Sequence, residues 1–331
     1  MRILTGTLVL LHSLLFATAQ TIYSASDSIT VEQLLSKAMS QPPKTCLTVF
    51  FGNKLAGHPY KSGTLEKNYV GRSGCGQEQL IVNTREFDCT TFVETVLALA
   101  RTAEHGKHSF NDFCNNLQAF RYQQGTIADY TSRNHYFRTW IDNATSSSIM
   151  DEVIPTDKAL CRKRKLNIHY MTSRNHYFRT WIDNATSSSI MDEVIPTDKA
   201  LCRKRKLNIH YMTSHPERYH ALQGEWNEDY LRKIKQMEQR QNMKEVTYIP
   251  KNVLNNPRNL LSFIKDGDIV AIETSKEGLD TSHVGIAVWS SDNRLRFIHA
   301  SSAYHKVVTS PVYTYLKKQK HAIGIRILRL K

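Results

Sequence analysis

The sequence predicts an α+β protein in which helices come first and an antiparallel sheet follows. Three observations predict it. Apolar residues recur at helical spacing in several segments before Arg240. From Val246 onward the pattern changes to short runs with strand character, and such a split between helical and strand segments is the mark of α+β packing. Two of these runs, 282–289 and 294–300, flank the polar stretch Ser290-Ser291-Asp292-Asn293 as the arms of a hairpin do.

In chain order, residues 30–39 read as a helix opened by Thr30 and Gln33 in capping-box form and closed before Pro42-Pro43. A second short helix is expected over 45–51. Asp88 is a fitting N-cap for a third, because its carboxylate can accept orphan N–H groups of the first turn; Phe92, Val93, Val96, Leu97 and Ala100 then make one apolar face. Ser109 caps a fourth, with Phe113, Leu117 and Phe120 inward, and 227–240 reads as a fifth with Tyr230, Leu231, Ile234 and Met237 inward. Strands are expected at 246–249, 269–273, the two hairpin arms and 323–328.

Chemistry gathers at the third helix and the hairpin. Cys89 falls in the first turn of the helix, where free N–H groups and the positive end of the helix dipole favour a thiolate. With a turn centred near Ser291, His283 and His299 oppose each other and share one face, together with Gly285 and Ala287, which leave room for the Cys89 helix. One imidazole would then take the thiol proton while the other orients the first ring.

Asp88-Cys89-Thr90-Thr91-Phe92, Ser282-His283-Val284-Gly285 and Phe297-Ile298-His299-Ala300 resemble the NlpC-type cysteine peptidases and amidases of bacterial cell walls, which have a papain-like core and a Cys-His-His site. Longer matches, including 87–99, 266–269, 278–285 and 299–302, resemble the N-acetylmuramoyl-L-alanine amidase-like branch, first catalogued as a domain of unknown function. The resemblance implies an exported cysteine amidohydrolase with Cys89, His283 and His299 as its catalytic residues. It would cleave the N-acetylmuramoyl–L-alanine bond of muropeptides through an acyl-enzyme. The alternatives are a γ-D-glutamyl-diaminopimelate endopeptidase, or a cell-wall binding protein whose site is idle. The oxyanion would be met by the Cys89 backbone N–H and by the hydroxyl of Tyr60, which lies in a Pro-Tyr segment that helps build the family's cleft.

Met1-Arg2, the apolar run 3–16 and Ala17-Thr18-Ala19 read as a signal peptide over 1–19, which leaves 20–331 as one domain, exported to the periplasm or beyond with no membrane anchor. The formal charge of +14 suits anionic polymers; after export, a carboxylate-bearing glycan–peptide mesh is a better partner than nucleic acid. Six cysteines (46, 75, 89, 114, 161 and 202) define no disulfide framework, and no Cys/His spacing suggests a metal; no cofactor is expected.

One stretch departs from an ordinary domain. Residues 131–171 recur without a change as 172–212, a tandem copy of 41 residues that is too few repeats for a solenoid. In the family a similar Ser-Arg-x-His-Tyr-Phe segment occurs once, on the substrate side of the cleft. Ser132, Arg133 and His135 compete for that place with Ser173, Arg174 and His176, and the surplus copy is expected to be extruded. His215, just past the repeat, is a further cleft candidate. The sequons at Asn143 and Asn184 would be idle in a bacterial protein.

Overall fold

The structure is a computed structural model that describes residues 21–65, 78–140, 191–194, 201–223, 227–255 and 261–330. The proposed signal segment, Cys75, Cys161, both sequons and Ser173, Arg174 and His176 lie outside the described residues.

Four helices pack together at the N-terminal end: α1 (Ala25–Met39), α2 (Leu47–Lys54), α3 (Cys89–Glu104) and α4 (Phe110–Arg121). The first begins five residues before the expected start. Its cap is Ser24, in a capping box with Asp27 rather than Thr30 with Gln33. Asp27 is also tied across the fold, since its Oδ1 accepts the Thr84 amide at 2.8 Å and the Thr84 hydroxyl at 2.9 Å. That bond draws the helix start back to the segment leading into α3. The α3 cap is as the sequence implies: Asp88 Oδ1 accepts the Thr91 amide at 2.8 Å and the Thr91 hydroxyl accepts the Asp88 amide at 3.0 Å. Thr91 to Ala100 are all buried, so α3 is enclosed on every side and forms the axis of the first core.

The sheet contains β1 (Met191–Val194), β2 (Arg203–Lys206), β3 (Glu245–Pro250), β4 (Ile269–Thr274), β5 (Thr281–Trp289), β6 (Leu295–Ser301), β7 (Lys306–Pro311) and β8 (Ala322–Leu330). Its order is β2-β3-β8-β4-β5-β6-β7, with β1 on β8 beside β3, and all these pairs are antiparallel. Thus the α+β class of the expectation is observed. Every residue of β4 is buried, because the sheet is covered on both faces at its centre. Ile269, Ala271, Val284, Ile286, Ile298 and Ala300 join α1–α4 in one core. Val270, Ile272, Ala287, Phe297 and Ile325 join a second core under α6 (Val312–Lys318), reached after α5 (Asn227–Gln241) in chain order. Sequence reading missed β1, β2, β7 and α6. The sequence left open which copy is surplus; the basic run of the second copy is β2, hydrogen-bonded to β3 with Arg203 opposite Tyr248.

A third core joins α5 to both ends of the repeat. Tyr136 comes from the first copy and Met212 from the second. They meet at buried Glu238, whose Oε1 accepts the Tyr136 hydroxyl at 2.6 Å and the Met212 amide at 3.1 Å. The described fold therefore takes the head of one copy (131–140) and the tail of the other (191–194 and 201–212), and no repeat position is described twice. Unique flanking residues hold each part. Asp129 Oδ1 accepts the Thr131 amide at 2.8 Å, while the guanidinium of Arg218, past the second copy, donates to the Tyr211 hydroxyl at 2.7 Å. Among the described residues no helix is long and apolar enough to cross a membrane.

Candidate active site

The hairpin register differs from the expected one by two residues. Ile286 pairs with Ile298 and Trp289 with Leu295, so the turn centres on Asp292, and Asn293 takes a left-handed φ of 58°. Continuing that register sets His299 opposite Gly285, two residues from His283. The two histidines are diagonal neighbours on one face, within reach of their rings. His283 Nε2 and His299 Nδ1 are 2.7 Å apart, with the rings perpendicular. On its other side His299 Nε2 lies 3.0 Å from Ser310 Oγ of β7.

What occupies the space at Gly285 is also different. It was expected to admit the Cys89 helix; a methyl there would instead fall 2.6 Å from the Phe297 ring, 2.7 Å from the Ile298 carbonyl oxygen and 2.9 Å from His299 Cβ. Both imidazoles stand on the α6 face, where Phe297 stacks on His299 at 4.0 Å and Tyr315 on His283 at 5.3 Å. The apolar stripe of α3 packs against the opposite row, Val284 and Ile286. Cys89 reaches the same place from the head of α3, with its sulfur against the Val284 backbone N–H.

Cys89 and His283 line one cavity of about 120 Å³. Its floor includes Val93, Glu94 and Val284; its walls are 134–137 with Trp140 on one side and 279–282 on the other. The second wall is bolted to the first by Asp280, whose Oδ2 accepts the Arg138 amide at 2.7 Å. Asp280 is buried and stands 3.4 Å from Arg326, which is itself fully enclosed and bonded to Glu273 at 2.5 Å.

Burial governs the protonation states. It pushes the Cys89 thiol up to about 11, assisted by the Asp88 carboxylate; the Thr90 hydroxyl and the Val284 and Thr90 amides act in the opposite direction. The expectation of a thiolate is thereby corrected: the carboxylate that caps α3 sits beside the sulfur and opposes the helix dipole. Burial pulls His283 down to about 4 and His299 to about 3, the latter also disfavoured by a charge on His283. Burial thus favours the neutral thiol and both neutral imidazoles.

Of the other predicted residues, His135 lines the cavity, its Nε2–H donating to the Tyr130 carbonyl at 2.8 Å. Burial, then the Arg133 charge, bring it down to about 3. Tyr60 lies near enough to Cys89 for charge on either to disfavour charge on the other, and burial raises its hydroxyl further, but it is not among the cavity-lining residues. Ser132 and Arg133 are corrected to roles in the scaffold. The Ser132 hydroxyl donates to the Asp129 carbonyl at 2.6 Å, and Arg133 makes a buried two-pronged pair with Glu78 at 2.7 and 3.1 Å. His215 is also outside the cavity lining; its ring packs on Tyr211 and faces Glu217 at 3.4 Å. The sequence analysis overlooked Ser310, Tyr315, Trp140 and Asp280, three of which sit outside any motif of reactive residues.

Among the described residues no group of three or more His, Cys, Asp or Glu side chains is placed to share a metal ion. Cys46, Cys89 and Cys114 are free thiols. A thiol at a helix head, sharing a cavity with one of two hydrogen-bonded imidazoles, is the equipment a nucleophilic hydrolase needs.

The comparisons support a hydrolase of the amidase kind and say nothing of its nucleophile. The family described as AmiA-like, N-acetylmuramoyl-L-alanine amidase-like, matches residues 50–166 and again 158–325; the first match runs into the first copy of the duplication and the second runs through the whole second copy. The chain belongs to this N-acetylmuramoyl-L-alanine amidase-like family. Among solved structures, an N-acetylmuramoyl-L-alanine amidase from Bacteroides uniformis is 35% identical, with a TM-score of 0.65 over 86% of this chain and 97% of that one. A Bacteroides fragilis protein provisionally described as a xylanase is 34% identical, with a TM-score of 0.62 over 84% and 98%. A Legionella pneumophila protein at 20% identity and a TM-score of 0.56, over 92% and 94%, shares the fold. No curated protein matches the chain.

Proposed function

We propose that the protein is an exported cysteine amidohydrolase of papain-like, NlpC type that cleaves the N-acetylmuramoyl–L-alanine amide bond of peptidoglycan fragments. The observation that carries this reading is that His283, 2.7 Å from His299 between ring nitrogens, lines the cavity that Cys89 also lines. With His283 Nε2 engaged by His299, its Nδ1 is left to act as the base. It takes the thiol proton as sulfur attacks the lactyl carbonyl, and the oxyanion is met by the Cys89 backbone N–H and Tyr60. The C–N bond then breaks, His283 returns the proton to the departing alanine amine, and the acyl group stays on Cys89 as a thioester. Water, deprotonated by the same nitrogen, releases the muramic acid carboxylate and restores the thiol.

The relative described as a xylanase suggests a glycosidase. Such an enzyme needs two carboxyl groups free to act on the substrate. The two acids lining the cavity are Glu94, paired with Arg121 at 2.8 Å, and Asp280, held by the Arg138 amide and Arg326. Both belong to the scaffold, which favours the thiol as the reacting group.

A defined muropeptide and mass spectrometry test the reading. Release of an intact stem peptide with a free sugar is expected; release of a dipeptide would assign the endopeptidase activity instead. Cys89→Ala and Cys89→Ser are expected to lose hydrolysis while keeping muropeptide binding. Turnover by Cys89→Ala would remove the cysteine mechanism, and binding without turnover by the unsubstituted protein would leave an idle binding protein.

A further inference from the structure

Beyond the pair of histidines the relay has a third member. His299 Nε2 is 3.0 Å from Ser310 Oγ, a contact closed from solvent between β6 and β7. His299 is fully buried and Ser310 nearly so. Val308 is the residue paired with His299, so Ser310 reaches it diagonally from the same face of the sheet, as His283 does from the other side.

The contact has a consequence because protons in this row are countable. A neutral imidazole carries one N–H. Between His283 Nε2 and His299 Nδ1 there is room for a single proton. If His283 owns it, His299 must carry its proton on Nε2 and donate to Ser310 Oγ; His283 Nδ1 is then a bare lone pair, ready to accept from a thiol. If Ser310 donates to His299 instead, every bond in the row reverses, His299 Nδ1–H points at His283, and His283 carries its proton on Nδ1, where it cannot act as a base. The direction of one hydroxyl thus sets the tautomer two rings away.

We propose that Ser310 is a positioning residue whose hydroxyl oxygen, by accepting the His299 Nε2–H, holds His283 in the tautomer able to deprotonate Cys89. The proposal rests on the cysteine reading above. No bond beyond those of that reaction forms or breaks, and no proton leaves the row: the oxygen only anchors its far end. The titratable groups around the row are Cys89 and Glu94 from α3, Asp280 at the entry to β5, His135, Tyr315 from α6 and, near Cys89, Tyr60; burial, and for His299 a charge on His283, are what lower the two imidazoles.

Ser310→Thr keeps the hydroxyl, and Ser310→Val has the same shape without it. In Ser310→Val we expect kcat to fall about tenfold with KM unchanged, the loss of one buried hydrogen-bond partner. The acid limb of the rate profile should move to lower pH, because the imidazolium on His283 loses support at the end of the row. Ser310→Thr should restore both. Iodoacetamide alkylation of Cys89 against pH reads the same limb without substrate, and 15N shifts of the imidazole nitrogens report the tautomer directly. Equal kcat, equal limbs and equal 15N shifts in the Thr and Val variants would overturn the proposal. Failure of the parent reading has a separate signature: Cys89→Ala would then still hydrolyse, whatever happens at position 310. A Val variant that loses activity with an unmoved limb and unmoved shifts would make Ser310 a packing residue and also overturn the assignment.

Discussion

One wall of the cavity is built from sequence that occurs once in the chain, and the facing wall from sequence that occurs twice. Thr281 to His283 lie on β5, fixed between β4 and β6, with no second copy anywhere in the chain. Asn134 to Phe137 come from a stretch repeated without change at 172–212. Packing alone does not choose between identical copies. The choice falls to neighbours that are not repeated: Asp129 and Tyr130 hold the head of the first copy, and Arg218 holds the tail of the second by donating to the Tyr211 hydroxyl at 2.7 Å. Local chain connectivity, rather than any difference in side chains, decides which residues face the substrate.

The comparison can be broken most severely on the unique wall. Gly285→Ala forces a methyl into the Phe297 ring, the Ile298 carbonyl and His299 Cβ, none of which is the free end of a flexible chain. We expect about 1–3 kcal/mol lost from thermal stability by overpacking. Hydrolysis should fall about a hundredfold, since an ångström of displacement in the relay is felt in the rate. A melting curve and kcat on the same preparation check both, and a normal rate would show that His299 needs no such room.

Titration engages both walls at once. Burial holds His283 near 4 and His299 and His135 near 3, against about 6.5 in an unfolded chain. Between those values the unfolded state binds more protons than the folded one, so stability rises with pH through that window and falls as the solution is acidified from about 6.5 toward 4. The expected outcome is a melting temperature that drops steadily over that range. Replacing His135 and His299 by Gln should flatten the slope; an unchanged slope would place the acid sensitivity elsewhere.

The smallest effect sharpens the comparison. His135→Ala should lower kcat/KM on muropeptide about tenfold, as for a cleft contact beside the nucleophile. The identical change at His176 is expected to do nothing. Equal losses, or a loss seen only in the double variant, would mean that the two copies exchange places despite their different flanks.

Much of this was legible in the residues. Asp88 announced the helix cap by its chemistry and by the apolar spacing behind it, and the two histidines announced a shared face because parity survives a shift of two. Their diagonal placement was not legible, since it depends on whether a loop of polar residues centres on Ser291 or Asp292, and only the left-handed Asn293 settles that. Ser310 and Tyr315 were hidden for another reason. They lie in β7 and the short α6 that follows it, where Lys306-Val307-Val308-Thr309-Ser310-Pro311 has no clean alternation and Pro311 serves as the helix cap. The thiol's protonation was misread because a favourable dipole was counted while burial, the larger influence, and the neighbouring carboxylate were not.

The seam between the copies has a consequence for how the chain can change length. Deleting 131–171 and deleting 172–212 produce one and the same protein, in which Trp140 connects to Met191 through 182–190 alone. For a flexible chain, a connection of 50 residues in place of nine raises the closure cost by on the order of 1–2 kcal/mol, a logarithmic rise that the three cores can absorb. Length at this point is therefore nearly free of the fold, and a recombination that trims the gene back to one copy would leave neither scar nor new junction in the product.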